Sequence, residues 1–318
     1  TDTVNEEYFI DICEADTDDE VASLDTWRKA NPIRAYYQEG VEKLSSDFKI
    51  AKEIPEKMTA FKTKCLNMWL NKKADGYMDM AKWKACEVEK IPFEIKGQEV
   101  YVGFDMSAKI DLTSVSFVIP VQVNGVAQYA IFSHSFIPNY EKLKERMAVD
   151  KMPYDSWVER GYITVTDTPI VDQDAVIEYV FNFCKENNFK IKNLCFDPAN
   201  ASKMMMELEK KGYECVEVYQ SYKSLNESTA GFREQVYSSN VFYLYNPVLN
   251  FAVNNAMIRT NGGLIKIDKD ITHKRIDPLI AVLGAFKLAQ YHEFILDLSK
   301  YRTPDYLMKL YKGGDKTE

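Results

Sequence analysis

Three runs rich in Val, Ile, Phe and Tyr, at 99–105, 112–121 and 128–137, follow one another with only short joints such as "VNGVAQ" between them. Strands in tandem with connections that short pair with their neighbours as an antiparallel meander. After them the pattern alternates: a helix at about 173–187, a strand "IKNLCFD" at 191–197, a helix "ASKMMMELEKKG" closing on Gly212 and a strand "ECVEVYQ". Strand, helix, strand implies parallel pairing through right-handed crossovers. The two halves together predict a mixed α/β sheet of five strands with helices on both faces. Further helices are expected at about 229–239 and 247–256, then the strand "GLIKID" and a last helix in "IDPLIAVLGAFKLAQYHE".

The residues before the meander read differently. "YFIDIC" looks like a strand running into an acidic turn, and with no initiator methionine before it the segment reads as a piece of an upstream domain. From Asp25 to about Trp83 the texture is helical, in "LDTWRKANP", "AYYQEGVEKLSSDFKIAKE" and "AFKTKCLNMWLNK", with Pro32 and Pro55 as breaks. Trp27, Phe48, Phe61, Trp69 and Trp83 are read as packing residues of this helical connector.

Charge narrows the function classes. The 318 residues carry a net charge of -8, which argues against a surface that grips nucleic acid everywhere. Ten Asp and Glu fall in residues 1–25, which hold no Lys or Arg, so the remainder has 40 basic against 38 acidic residues and room for local basic patches. No apolar run approaches the roughly 20 residues of a membrane span, and no signal-peptide pattern opens the chain. Six cysteines without CxxC spacing read as buried thiols of a reducing compartment.

Helices on both faces of a five-stranded sheet, three antiparallel strands leading into parallel ones, are the RNase H-like plan shared by integrases and resolvases. In it the ends of the first and fourth strands lie side by side, which would bring Asp105 of "GFDMS" beside Asp197 of "CFDPAN". A third carboxylate must come from a helix packed across the sheet, and Asp277 fits, read as an N-cap with Pro278 at the first helical position. Three such acids need cations beside them, and an all-oxygen site favours magnesium or manganese. Two ions about 4 Å apart activate a water and stabilise the leaving oxygen of a phosphodiester. The same aspartates could equally be turn formers and a plain cap. Asp111 in "KIDLTS" reads as a turn residue or a further metal-site carboxylate, and Asp268 and Asp270 as solvated charge. His273 and Lys274 could approach a phosphate, whereas His134 and His292 have no partners at ligand spacing. No phosphate-cradling GxxxxGK[ST] loop, GxSxG or Cys/His nucleophile pair is found.

These residues resemble a family, the large terminase subunit of tailed bacteriophages and prophages. "GFDMSAKIDLTS" looks like its first nuclease motif, "CFDPANASKMMMELEKKGY" its second, "YNPVLNFAVNNAMI" the helical stretch before the last, and "KRIDPLIAVLGA" its third. "WRKANP" and the helix through "FKTKCLNMW" resemble the end of the packaging ATPase and its linker. The resemblance implies a remnant of the ATPase domain at 1–35, a helical linker at 36–97 and an RNase H-like nuclease at 98–318, with the ATPase core itself absent. It implies that Asp105, Asp197 and Asp277 carry a two-metal endonuclease, using Mg2+ or Mn2+, that cuts concatemeric viral double-stranded DNA during packaging. Implied partners are the DNA, a small terminase subunit and a portal protein, and the implied setting is the host cytoplasm. Asn255 becomes a candidate support residue, and Lys223, Arg233, Lys274 and Arg275 candidate DNA contacts. Three rival readings stay open: another RNase H-like nuclease of the resolvase or transposase type, an actin-like ATPase, and a docking module of a packaging motor that does not cut.

Overall fold

The structure, a computed structural model, describes residues 11–53, 55–68, 76–106, 112–268 and 275–294. The chain divides between residues 79 and 80 into two compact units. The first is helical: α1 (Leu24–Ala30), α2 (Gln38–Glu53) and α3 (Pro55–Cys65). Ser23 caps α1, accepting from the Thr26 amide at 3.5 Å, and Pro55 opens α3, where its missing N–H costs nothing. Trp27 is the hub of this unit. Its ring meets Phe48 and Phe61 edge-on at 5.4 and 6.1 Å, and its indole donates to the Val21 carbonyl at 2.8 Å. Of the expected "YFIDIC" strand, Asp11–Cys13 are irregular and the rest lies outside the described residues, as does Trp69.

The second unit begins with α4 (Met80–Lys84) and β1 (Glu87–Val88). The meander follows as β2 (Glu99–Asp105), β3 (Thr113–Val123) and β4 (Val126–Ile137), paired antiparallel in the expected order. Next come α5 (Tyr140–Asp150), α6 (Tyr154–Glu159), β5 (Ile163–Val165), α7 (Gln173–Glu186), β6 (Lys190–Phe196), α8 (Pro198–Lys210) and β7 (Cys215–Glu217). The chain continues through α9 (Tyr222–Tyr237), β8 (Val241–Leu244), α10 (Pro247–Asn255), a hairpin of β9 (Ile258–Asn261) and β10 (Leu264–Ile267), and α11 (Asp277–Ala289).

Among the described residues the main sheet has eight strands, in the order β1-β8-β4-β3-β2-β6-β7 with β5 beside β4. The five strands expected from sequence form one contiguous block, β4-β3-β2-β6-β7, in the RNase H-like arrangement and running to one edge of the sheet; β1, β5 and β8 widen it on the other side. On that edge β8 pairs with Tyr129–Ile131 and β5 with Ser135–Ile137. The Asn246 amide fills the break between them, donating to the Ser133 carbonyl at 2.8 Å while its oxygen caps α10.

Alternation along the strands sorts the two faces. Val102, Phe104, Val115, Phe117, Leu194 and Phe196 point to one face, where α7 and α8 cover them, and the rings of Phe104 and Phe196 stack at 4.2 Å. The other face is covered by α11, which is buried on nearly every side, as an apolar helix in the middle of a domain must be. It lies obliquely across the sheet. The Ser116 hydroxyl of β3 donates to the Pro278 carbonyl at 3.1 Å, Ala281 and Ala285 sit on Gly103 of β2, and Leu288 packs with Cys195 of β6. Farther on, Phe286 meets Tyr129 near the start of β4, and the Tyr101 hydroxyl near the start of β2 lies 3.1 Å from His292 Nδ1. The helix therefore begins at the carboxyl end of β2 and runs back toward its amino end.

A side chain on Gly103 is incompatible with this contact. A Cβ there would lie 1.9 Å from the Ala281 carbonyl oxygen and 2.8 Å from the Ala285 nitrogen, both backbone atoms that cannot swing away. Gly103→Ala is expected to cost about 3 kcal/mol, the upper part of the range for overpacking, measured as a lower urea midpoint with an unchanged slope.

His134 is buried on the α7 face, stacked on Tyr179 at 4.1 Å and 2.8 Å from the Thr164 hydroxyl, a structural role. Burial holds its pKa down to about 4, below the ordinary 6.5. The unfolded chain therefore takes up a proton that the folded chain refuses, so this contribution is complete above pH 6.5 and is lost as pH falls toward 4. Between pH 7 and 5 it amounts to about 2 kcal/mol, and urea melts of His134→Gln at both values should show a pH dependence flatter by that much.

Candidate active site

Two sequence-predicted aspartates stand together by strand register. β2 and β6 run parallel with Phe104↔Phe196 as their last pair, and Asp105 and Asp197 are the next residues on neighbours spaced roughly 4.8 Å apart. Since Phe104 and Phe196 face α7 and α8, alternation turns Asp105 to the α11 face, which it shares with Gly103 and Ser116. Asp105 is 4% exposed, and Asp197 is half-buried.

Asp277 reaches the same end of the sheet by way of α11. It lies one turn before Ala281, as Asp105 lies two residues beyond Gly103, both toward the carboxyl end of β2. It is 7% exposed and opens the helix, where a carboxylate is favoured by the helix dipole. One expectation is corrected here. Ile276 stands at the N-cap, with no side-chain cap bond, and Asp277 is the first helical residue. Its side chain is buried, and the Ile276 carbonyl receives the first amide bonds, from Leu279 and Ile280.

Serines line the sheet beneath this helix start. Ser114, opposite Asp105, lies 2.9 Å from the Ser135 hydroxyl, and Ser116 lies 2.9 Å from Ser133. Small hydroxyls that satisfy one another let the helix come down onto a polar seam without orphaned groups. From the far side, α5 and α6 bring a second polar group. The buried Tyr154 hydroxyl donates to Asp150 Oδ2 at 2.7 Å. Burial first, and then the Asp150 bond and charge, push this phenol far above its ordinary pKa; Arg275 pulls it down and Asp277 pushes it up by smaller amounts, so both charges act on this hydroxyl.

One residue at this edge was not anticipated. The Gln220 amide, in the loop between β7 and α9, donates to Asp105 Oδ1 at 3.4 Å. Of the other candidates, Lys223 is exposed in the first turn of α9, and Arg233 is half-buried ten residues farther along, about 15 Å by helical rise. Arg275 is half-buried just before α11. Asn255 is buried at the end of α10, and its Nδ2 finds no hydrogen-bond partner among the described residues. Asp268, read as solvated, is instead buried and pairs with Arg259 Nε at 2.5 Å. Asp111, Asp270, His273 and Lys274 lie outside the described residues.

The donors on this edge are carboxylate oxygens, the chemistry of magnesium and manganese rather than of soft metals. Two buried carboxylates at one edge are also a place where a cation relieves like-charge repulsion. Among the described residues no group of three or more His, Cys, Asp or Glu is close enough to hold an ion, so the three aspartates share an edge without forming a closed ligand cage. All six cysteines are free thiols, and no described helix is long and apolar enough to cross a membrane.

A family model described as terminase large subunit, endonuclease domain, matches residues 2–293. Protein YmfN of Escherichia coli (strain K12) is 25% identical over 302 residues, 91% of this chain and 64% of that protein. The terminase large subunit of Enterobacteria phage HK97 is 25% identical over 278 residues, 85% of this chain and 52% of its own length. The crystal structure of the HK97 bacteriophage large terminase superposes with a TM-score of 0.60 at 23% identity, covering 87% of this chain and 56% of that one, and so shares its fold. The chain spans between about half and two thirds of the length of these relatives.

Proposed function

The chain belongs to the family of terminase large subunit endonuclease domains, and from that premise we propose that it is a metal-dependent endonuclease cutting concatemeric viral double-stranded DNA during genome packaging. Support comes from one feature: two aspartates leave neighbouring central strands side by side, and a third opens the helix laid over them. Asp105, Asp197 and Asp277 are the residues that would hold Mg2+ or Mn2+, two ions when DNA is bound, with Asp111 a further candidate. Bound there, the ions supply an activated water and charge stabilisation for the leaving oxygen of a phosphodiester. The protein's own part is orientation. The strand ends fix two carboxylates against each other, the α11 contact on Gly103 fixes the third, and the buried serine seam keeps the floor from shifting.

The same proposal takes residues 1–35 as the end of an upstream ATPase domain and 36–97 as its linker. The small terminase subunit and the portal are proposed as partners and the host cytoplasm as the setting. Lys223 and Arg275 are the proposed phosphate contacts nearest the acidic edge, with Lys274 beside Arg275 in sequence and Arg233 farther along α9.

Plasmid digestion with manganese, magnesium, calcium and chelator in parallel tests this reading. Manganese should activate better than magnesium, which is stricter about octahedral geometry, while calcium should bind without cutting. Asp197→Asn should abolish cutting and leave the melting temperature unchanged or higher, because a like charge is removed. Cutting that survives in chelator overturns the metal mechanism; a chain that neither binds metal by calorimetry nor cuts is a docking module.

DNA binding should be weak, tolerant of sequence and carried by a few phosphate contacts. With three contacts, affinity should fall roughly 40-fold between 50 and 200 mM salt, and fluorescence anisotropy that stays flat over this range contradicts the electrostatic account.

A further inference from the structure

We propose that Gln220 is a positioning residue of the cutting site, whose side-chain amide holds the Asp105 carboxylate in the orientation that accepts a divalent ion. The proposal rests on the nuclease reading of the acidic edge. Its geometry is direct: Gln220 Nε2 donates to Asp105 Oδ1 across 115 positions of sequence, at 3.4 Å. That is longer than the usual range of about 2.7–3.2 Å, a loose contact of the kind that catalytic groups make before a ligand tightens them.

The loop that presents Gln220 is pinned on both sides. Before it, the Val218 amide donates to the Phe196 carbonyl at 2.6 Å, and the Val218 side chain is buried with Cys195 and Leu225. After it, Ser221 caps α9, accepting from the Ser224 amide at 3.2 Å, and its carbonyl accepts from Leu225. The Phe196 bond ties the loop to the strand that leads into Asp197, so one short segment bonds the Asp105 carboxylate through a side chain and the residue before Asp197 through its backbone.

An amide suits this place better than a charged group. A lysine or arginine would pair with Asp105 and compete with an incoming cation, and a carboxylate would add to the repulsion already present. An amide N–H takes one lone pair of Oδ1 and limits rotation of the carboxylate without adding a charge to the site. Partners of this kind behind a metal ligand typically change metal affinity by about tenfold or more.

Calorimetric titration of manganese into the whole chain without DNA, on wild type, Gln220→Leu and Gln122→Leu, tests the assignment. Gln220→Leu keeps the bulk and removes the donor, so it should bind manganese about tenfold more weakly. Its metal-free melting temperature should be unchanged, and plasmid cutting should be restored by a matching rise in manganese. Gln122→Leu, the same change at an exposed position on the opposite end of the sheet, should bind as wild type does. Equal affinity in Gln220→Leu and wild type overturns the proposal and leaves the nuclease reading standing. A lower metal-free melting temperature together with cutting that excess manganese does not restore assigns Gln220 a merely structural role and also overturns it. If wild type itself binds no manganese, the nuclease reading fails and the proposal falls with it.

Discussion

Everything at the acidic edge depends on two backbones touching. Gly103 has no side chain, and the turn of α11 that carries Ala281 and Ala285 rests on it directly. That contact sets the height of the helix over the sheet, and the Ser116 bond to the Pro278 carbonyl sets its rotation one turn earlier. A helix held farther off would still bury Leu279 and Val282, but Asp277 would be carried away from the strand ends. Apolar packing alone tolerates sliding of this kind, whereas a steric stop combined with a directional hydrogen bond does not.

Several polar groups around the edge are answered locally. The serine seam, the Tyr154–Asp150 bond and the Arg259–Asp268 pair each place a hydrogen-bonding group in a buried position beside a partner. Buried polar partners are costly when half-matched and rigid when matched, which is the property a site assembled from three distant segments requires. The aspartates at 105, 197 and 277 are joined by little sequence-local structure, so their alignment rests on this surrounding framework.

Much of the frame was legible in the sequence. β2 is found at 99–105 as read, and the five expected strands stand in the order of the RNase H-like plan that the meander and the crossovers suggested. What escaped was short or non-local. β1, β5 and β8 have two to four residues, too few for alternation to register. α5 and α6 went unread although Asn139 is a regular cap for α5, because they fall between two stronger patterns. α9 was read from about 229 but starts at Tyr222, where the cap Ser221 sits among other polar residues that mask it. Asp277 was taken for a cap because Asp before Pro is a common helix start; its burial decided otherwise. Gln220 had no signal at all, since nothing in a loop glutamine announces a partner 115 residues away.

The pairing of β1 with β8 bears on the order in which the second unit can be made. Glu87 lies opposite Tyr243, so the strand that opens this sheet has its one neighbour among the described residues more than 150 residues downstream. At ribosomal speeds of about 5–20 residues per second, β1 emerges and then waits roughly 8 to 30 s before its partner exists. The meander can close on itself in that interval, but Trp83, which stacks on Tyr243 at 4.2 Å, cannot reach its final place until β8 arrives. During synthesis this part of the chain leaves an indole and a bare strand exposed to solvent for seconds.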